Sequence, residues 1–177
     1  LYLPIDVDNI PFKPTTLENK ESIVMASIGG LRLIKRHDLF LMLIKYLCAQ
    51  EKMAVKGYII GSGTQKSSLL KLIDHLGLKG IVEIISFKRR GMIRFVVENV
   101  DIVVSFSLGG GILPTAIREA MAMGKIVLTR DVGAAEEFIV NGVNGFIFND
   151  FWEAVDIVRK LNAKDARRIA VNARRSV

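Results

Sequence analysis

Three glycine-containing loops are the features of this sequence whose residue types could do chemistry. Gly29-Gly30, Gly61-Ser62-Gly63 and Gly109-Gly110-Gly111 each follow a short apolar segment rich in β-branched residues. Glycine lets backbone N–H groups approach a ligand closely and point at an anion. The loops therefore predict a phosphate-binding site, although many α/β domains carry such glycines for turn geometry alone.

The third loop has a second feature that favours an anion. It runs through Ile112 and Leu113 into Pro114, and proline is favoured at the first position of a helix. A helix predicted over Pro114–Met123 would aim its free N–H groups and its positive dipole end at a phosphate.

The apolar segments that precede these loops are predicted to be strands because they are nearly continuous hydrophobic runs. Such runs are typical of a parallel sheet that is covered on both faces. The predicted strands are Ser22–Ile28, Val55–Ile60, Val82–Phe87, Ile102–Phe106 and Ile126–Thr129. The predicted helices are Asp38–Gln50, Gln65–Leu76, Gly91–Glu98, Pro114–Met123, Ala134–Val140, Phe151–Leu161 and Ala163–Ala173.

This alternation predicts an α/β fold with a doubly wound parallel sheet, Rossmann-like, over residues 21–177. Residues 1–20 contain three prolines and are expected to form an incoming linker or edge segment. Ligands of such sheets bind beyond the carboxyl ends of the strands, where the glycine loops lie. The chain lacks an initiator Met and a signal peptide, so we expect a piece of a longer polypeptide.

Composition narrows the possible partners. The formal net charge of +7 permits nucleic acid, anionic membranes or phosphorylated ligands. Zinc motifs and basic stretches interleaved with aromatics are absent from the sequence, so no nucleic-acid partner is predicted. No apolar run reaches the roughly 20 residues of a membrane span. The single cysteine, Cys48, cannot form an internal disulfide, and a reducing compartment such as the cytoplasm fits best.

Several segments, read together, resemble family-4 retaining glycosyltransferases, which have a two-domain B-type fold. Residues 114–127 (PTAIREAMAMGKIV) resemble the family signature P-x4-E-A-M-A-x-G-x-x-V. Residues 28–31 (IGGL), with Lys35 and Asp38, resemble V-G-R-L-x3-K-x2-D, and residues 60–63 resemble a glycine loop of the family. Residues 100–107, 131–137 and 141–145 match further motifs in the same order, and the resemblance runs from about Leu3 to Phe148.

The resemblance implies that this chain is the C-terminal, donor-binding half of such an enzyme, without the acceptor-binding N-terminal domain. The donor would be a UDP-, GDP- or ADP-linked sugar, transferred to a glycan or lipid-linked acceptor hydroxyl with retention and without metal or other cofactor. A lipid-linked acceptor would bring peripheral membrane association at the cytoplasmic face. The isolated domain is expected to be inactive in transfer.

The family's site residues carry over to named positions. Lys35 matches the lysine that contacts the diphosphate and stabilises the leaving group, and Glu119 matches the glutamate that accepts hydrogen bonds from ribose. Glu137 matches a family glutamate, but a role in starting a helix fits it equally well. The other expected donor-binding residues are Gly29, Gly30, Gly61, Gly63, Phe87, Lys88, Gly110, Gly111, Ile112, Leu113 and Thr115.

Two departures from the family pattern remove charged groups. Gly30 stands where the family has a phosphate-binding arginine, and Arg32, Arg36 or Arg90 could replace it. Gly111 stands where the family has the first glutamate of a pair, which contacts the donor sugar.

These departures keep a second reading open, a glycosyltransferase-like subunit that has lost catalysis. A nucleotide-sugar epimerase of the same fold is a further alternative, but it needs catalytic histidines. His37 and His75 are the only histidines in the sequence, and both are predicted to have surface or capping roles.

Overall fold

The computed structural model describes residues 5–109 and 114–177, which form one sheet covered by helices on both faces. The strands are β1 Ile23–Ile28, β2 Val55–Ile60, β3 Val82–Ile85, β4 Ile102–Ser105, β5 Ile126–Arg130 and β6 Phe146–Phe148. The helices are α1 His37–Ala49, α2 Lys66–His75, α3 Arg89–Asn99, α4 Thr115–Ala122, α5 Ala135–Phe138, α6 Phe151–Lys160 and α7 Ala163–Arg175. Short 3₁₀ turns lie at Val7–Asn9 and Leu33–Lys35.

The strand order is β3-β2-β1-β4-β5-β6, and every pairing among the described strands is parallel. The chain leaves β1 toward β2 and β3, then returns to place β4 on the other side of β1. The carboxyl ends of β1 and β4 therefore flank a topological switch point, where open α/β sheets form a ligand crevice. This arrangement confirms the predicted doubly wound parallel sheet.

Apolar side chains on the two faces of the sheet form two cores. One core packs α1, α2 and α6 against the sheet through side chains such as Phe40, Leu69 and Val158. The other packs α3, α4 and α7 through side chains such as Val96 and Met121. A buried apolar side chain of this size stabilises the fold by about 1.5–3 kcal/mol, so the cores fix the strand ends that carry the loops.

Residues 5–20 are held against the second face by backbone and side-chain bonds. The N–H groups of Lys13 and Thr15 donate to the carbonyls of Met123 and Gly124 at 3.1 and 2.8 Å. The Lys125 ammonium, which burial brings to a pKa of about 8, donates to the Lys13 carbonyl at 3.1 Å. The segment therefore packs on the sheet domain along most of its length.

The ends of a few elements differ from the predictions. Strand β3 ends at Ile85, two residues before the predicted end, and β6 was not predicted at all. The three residues of β6 lie between two turns, so their sequence is too short to show a strand pattern. None of the helices in the described part of the chain is long and apolar enough to cross a membrane.

Candidate functional site

The loops after β1 and β2 are in direct backbone contact at the carboxyl edge of the sheet. The Leu31 N–H donates to the Ser62 carbonyl at 2.9 Å, and the Gln65 N–H donates to the Leu31 carbonyl at 3.0 Å. A Cβ atom on Gly61 would lie 1.9 Å from the Gly29 carbonyl oxygen. A Cβ atom on Gly63, whose φ is +153°, would lie 2.6 Å from the Leu31 carbonyl oxygen. Both positions therefore require glycine, and the structure brings Gly29, Gly61 and Gly63 together as predicted.

Two cationic side chains lie over this pair of loops. The aliphatic part of Lys35 crosses Gly29, where a Cβ atom would be 3.7 Å from the lysine Cδ and Cε. A Cβ atom on Gly30 would be 3.5 Å from the Nε of Arg32. Burial lowers the pKa of Lys35, and the charge of Arg32 lowers it further. Two like charges therefore stand close together at this edge.

The nearby acidic residue, in the first turn of α1, does not neutralise them. Asp38 accepts hydrogen bonds from the Nε and Nη2 of Arg36, at 3.0 and 2.9 Å. Among the described residues, neither Arg32 nor Lys35 forms an ion pair with a carboxylate. A pair of cations without a carboxylate partner, next to glycine loops, is an arrangement that can bind an anion.

His37 contradicts the predicted surface or capping role, because only 3% of it is exposed. Its Nδ1 lies 2.9 Å from the Ser27 hydroxyl oxygen, and its Nε2 lies 3.3 Å from the Gly30 carbonyl oxygen. Since a carbonyl only accepts, Nε2 carries the proton and Nδ1 accepts from the hydroxyl. The sequence pattern could not reveal this because His37 faces the sheet from the first position of α1. The ring lies between β1 and the loop that follows it, and it is not accessible to a substrate as a base.

The loop after β4 approaches the loop after β1 from the other side of the switch point. The Leu108 N–H donates to the Ile34 carbonyl at 2.9 Å, and the Ser107 hydroxyl donates to the Gly109 carbonyl at 3.1 Å. Thr115 is exposed at the first position of α4. The predicted site residues Gly110, Gly111, Ile112 and Leu113 lie outside the described residues.

Glu119 is buried in α4, with 5% of the residue exposed. Its Oε1 accepts hydrogen bonds from the Nε and Nη2 of Arg89, at 3.0 and 2.8 Å. Glu119 is therefore not an ordinary surface residue of its helix. Sequence reasoning missed Arg89: the cluster Lys88–Arg90 was visible, but a spacing of 30 residues carries no signal of pairing.

The remaining predicted residues lie at other strand ends. Phe87 is 43% exposed in the loop between β3 and α3, and its ring centroid is 5.2 Å from that of Phe95. Lys88 directly precedes α3. Glu137 is exposed in the short helix α5, after β5. No group of three His, Cys, Asp or Glu side chains within 5–109 and 114–177 is arranged to hold a metal ion.

Comparison with known proteins gives a family match. The model of the family described as glycosyl transferases group 1 matches residues 8–174. A comparison with curated proteins found no match.

The fold is similar to several solved structures. One is a variant of S. aureus TarM in complex with fondaparinux, alpha-GlcNAc-glycerol and UDP, with 23% identity and a TM-score of 0.81. That match covers 97% of this chain and 34% of TarM. Anabaena HepE in complex with UDP-glucose has 24% identity and a TM-score of 0.76, over 88% of this chain and 43% of HepE.

A third structure is similar over nearly its whole length. It is the C-terminal domain of the Francisella tularensis group 1 family protein LpcC, with 21% identity and a TM-score of 0.77. The match covers 98% of this chain and 96% of that domain. The chain thus spans about a third of TarM and less than half of HepE, but nearly all of the separate LpcC domain.

Proposed function

This chain belongs to the glycosyl transferases group 1 family, and on that premise we propose that it is the donor-binding domain of a retaining glycosyltransferase. The donor is a nucleotide-diphosphate sugar, and it binds in the crevice at the carboxyl ends of β1 and β4. The observation that carries this proposal is the pair Arg32 and Lys35, which lies over the glycine loops without a carboxylate partner among the described residues.

The diphosphate fits this pair for an electrostatic reason. Burial, and then the charge of Arg32, lower the pKa of Lys35, and a dianion placed between the two cations offsets both effects. Hydrogen bonds between ionised partners are shorter and about twice as strong as neutral ones. Backbone N–H groups of the glycine loops add neutral donors to the same anion.

The nucleoside half of the donor extends toward α3 and α4. Glu119 provides a carboxylate oxygen for the ribose hydroxyls, and a carboxylate is a good acceptor for hydroxyl groups. The exposed ring of Phe87 and the backbone near Lys88 offer a surface for the base. TarM and HepE were both solved with a uridine nucleotide, which makes UDP the first ligand to test.

The chemistry proposed for this crevice is stabilisation of a leaving group. During transfer, the bond between the anomeric carbon of the sugar and the diphosphate oxygen breaks, and a bond to the acceptor oxygen forms on the same face. The leaving diphosphate takes up the acceptor's proton as its negative charge grows. Arg32 and Lys35 stabilise that charge, a role in which preorganised cations act without a metal ion.

The acceptor belongs to the part of the enzyme that this chain does not span. We propose a glycan or lipid-linked acceptor, a cytoplasmic location and, for a lipid-linked acceptor, peripheral contact with the membrane. Transfer then requires both halves of the cleft.

Calorimetric titration of the chain with UDP, GDP, ADP and their sugar conjugates tests the proposal. Saturable binding of one nucleotide is expected. Lys35→Ala, Arg32→Ala and Glu119→Ala should each weaken it by roughly ten- to hundredfold, the value of a hydrogen bond to a charged group. Lys71→Ala removes the same charge from the exposed surface of α2 and serves as the matched control.

The outcomes separate the alternatives. A folded chain that binds none of these nucleotides would contradict the donor-binding role and favour a non-catalytic subunit, with Gly30 and Gly111 as the departures to examine. Equal weakening by Lys71→Ala would show that net charge, and not the crevice, drives binding. An epimerase is disfavoured by His37, whose two ring nitrogens are both engaged by the protein.

A further inference from the structure

The contact between Arg89 and Glu119 joins two helices that enter the crevice from neighbouring strand ends. Arg89 is the first residue of α3, and Glu119 lies in the middle of α4. The Glu119 side chain is 7% exposed, whereas the Arg89 side chain is 64% exposed. The buried acid is therefore held by a cation that itself stays at the surface.

The geometry of this pair is one-sided. Both N–H donors of Arg89 bind the same oxygen, Oε1, at 3.0 and 2.8 Å. Within the described residues, no hydrogen bond to the other oxygen, Oε2, accompanies them. Two donors on one oxygen fix the plane and the direction of the carboxylate, and they leave the second oxygen for another donor.

A buried carboxylate needs such a partner in order to keep one fixed orientation. Without a cation or hydrogen bonds, a carboxylate that has left water is destabilised by several kcal/mol. Removing one partner of a buried ion pair leaves an uncompensated charge, and the remaining side chain then rotates toward water.

We infer that Arg89 is a positioning residue for ribose recognition: it holds the Glu119 carboxylate through Oε1 and aims Oε2 at the donor's ribose hydroxyls. This inference rests on the proposed donor-binding function. Its chemical consequence is selectivity for ribonucleotides over 2′-deoxyribonucleotides, because an oriented carboxylate oxygen left unpaired by a missing hydroxyl is costly. Arg89 acts through Glu119 and does not contact the reacting atoms.

The test compares three matched ligand pairs on the chain: UDP with dUDP, GDP with dGDP, and ADP with dADP. The measured quantity is the ratio of the two dissociation constants in each pair. For the nucleobase that the wild type prefers, the ribonucleotide should bind roughly ten- to hundredfold more tightly than its deoxy counterpart. Arg89→Ala should bring this ratio below about threefold, mainly by weakening the binding of the ribonucleotide.

Two further variants make the readout specific. Arg89→Lys keeps the charge but cannot place two donors on one oxygen, so it should restore the ratio only in part. Arg90→Ala removes the same charge from the next residue of α3 and should keep the wild-type ratio. If Arg89→Ala does not fold, Arg89→Lys still tests the inference, because a lysine that leaves the full ratio intact contradicts it.

A purely structural role for Arg89 predicts a different result. In that case Arg89→Ala would weaken the binding of UDP and dUDP equally and leave the ratio of their dissociation constants unchanged. That result would overturn the inference, while the donor-binding proposal would stand. A wild-type chain that binds both members of a pair equally would overturn it as well. A folded wild-type chain that binds none of the six nucleotides would instead contradict the proposed function.

Discussion

The contact between the first two glycine loops makes a sharp prediction for Gly61→Ala. The Cβ atom of the alanine would lie 1.9 Å from the Gly29 carbonyl oxygen and 2.9 Å from its carbon. Contacts of a real Cβ atom stay above 3.0 Å, so the loops would have to separate by about 1.1 Å. The obstacle is backbone, so no side-chain rotation can relieve the clash.

The cost follows from what this separation breaks. The loops are joined by the hydrogen bond from the Leu31 N–H to the Ser62 carbonyl, at 2.9 Å, which such a movement would stretch beyond bonding distance. Overpacking costs about 1–3 kcal/mol and a lost hydrogen bond about 0.5–1.5 kcal/mol. We therefore expect Gly61→Ala to lower the free energy of unfolding by roughly 2–4 kcal/mol, measured by urea denaturation followed by circular dichroism.

Gly91→Ala is the matched control because it makes the same substitution inside α3. There the new Cβ atom would meet Phe87 at 3.5 Å, an ordinary contact, and alanine is favoured over glycine in a helix by about 0.5–1 kcal/mol. The two variants should thus change stability in opposite directions. If the free energy of unfolding of Gly61→Ala lies within about 0.5 kcal/mol of the wild-type value, the two loops do not approach each other as closely as described.

Two pH dependences provide further predictions. Burial and the charge of Arg32 lower the pKa of Lys35 below its ordinary 10.5. UDP affinity should therefore fall as pH rises toward that lowered pKa, and Lys35→Arg should remove this fall in titrations over the same pH range, where the ligand's own ionisation is identical. Burial also lowers the pKa of His37 below 6.5, against smaller opposing effects of the Gly29 and Gly30 carbonyls and Asp38. Its contribution to stability is thus complete above pH 6.5 and lost as pH falls through the lower folded pKa. In urea denaturation between pH 7.5 and 5, His37→Gln should show a smaller loss of stability on acidification than the wild type, and parallel curves would refute the assignment.

The sheet could be predicted from the sequence because its strands are nearly continuous apolar runs, and glycine directly follows β1 and β2. Ser22–Ile28 and Val55–Ile60 were predicted within one residue of β1 and β2 for this reason. Strand β6 was missed because three residues between turns carry no period. Its edge position follows from pairing with β5, which is a tertiary property.

The candidate site was predictable only where a single loop defines it. The glycine loops and Lys35 are local features, and the structure brings them together at the predicted edge. The ion pair of Arg89 with Glu119 and the burial of His37 depend on which elements pack against each other, so no spacing in the sequence reveals them. The loop that contains Gly111 lies outside the described residues, and its role in donor binding stays a prediction.

The structure shows which nearby arginine could replace the one that the family has at position 30. Three arginines were candidates to replace it. Arg36 is committed to Asp38 by two hydrogen bonds from its Nε and Nη2. Arg90 lies on α3, where it lines a cavity together with Asn9 and Pro11.

Arg32 alone among the three has its Nε 3.5 Å from where a side chain at Gly30 would begin, and its charge acts on Lys35. The Arg32 guanidinium, two residues further along the loop, therefore lies beside position 30, where the family has its arginine. A cation therefore remains beside position 30, and for this reason we favour a functional donor site over a degenerate one.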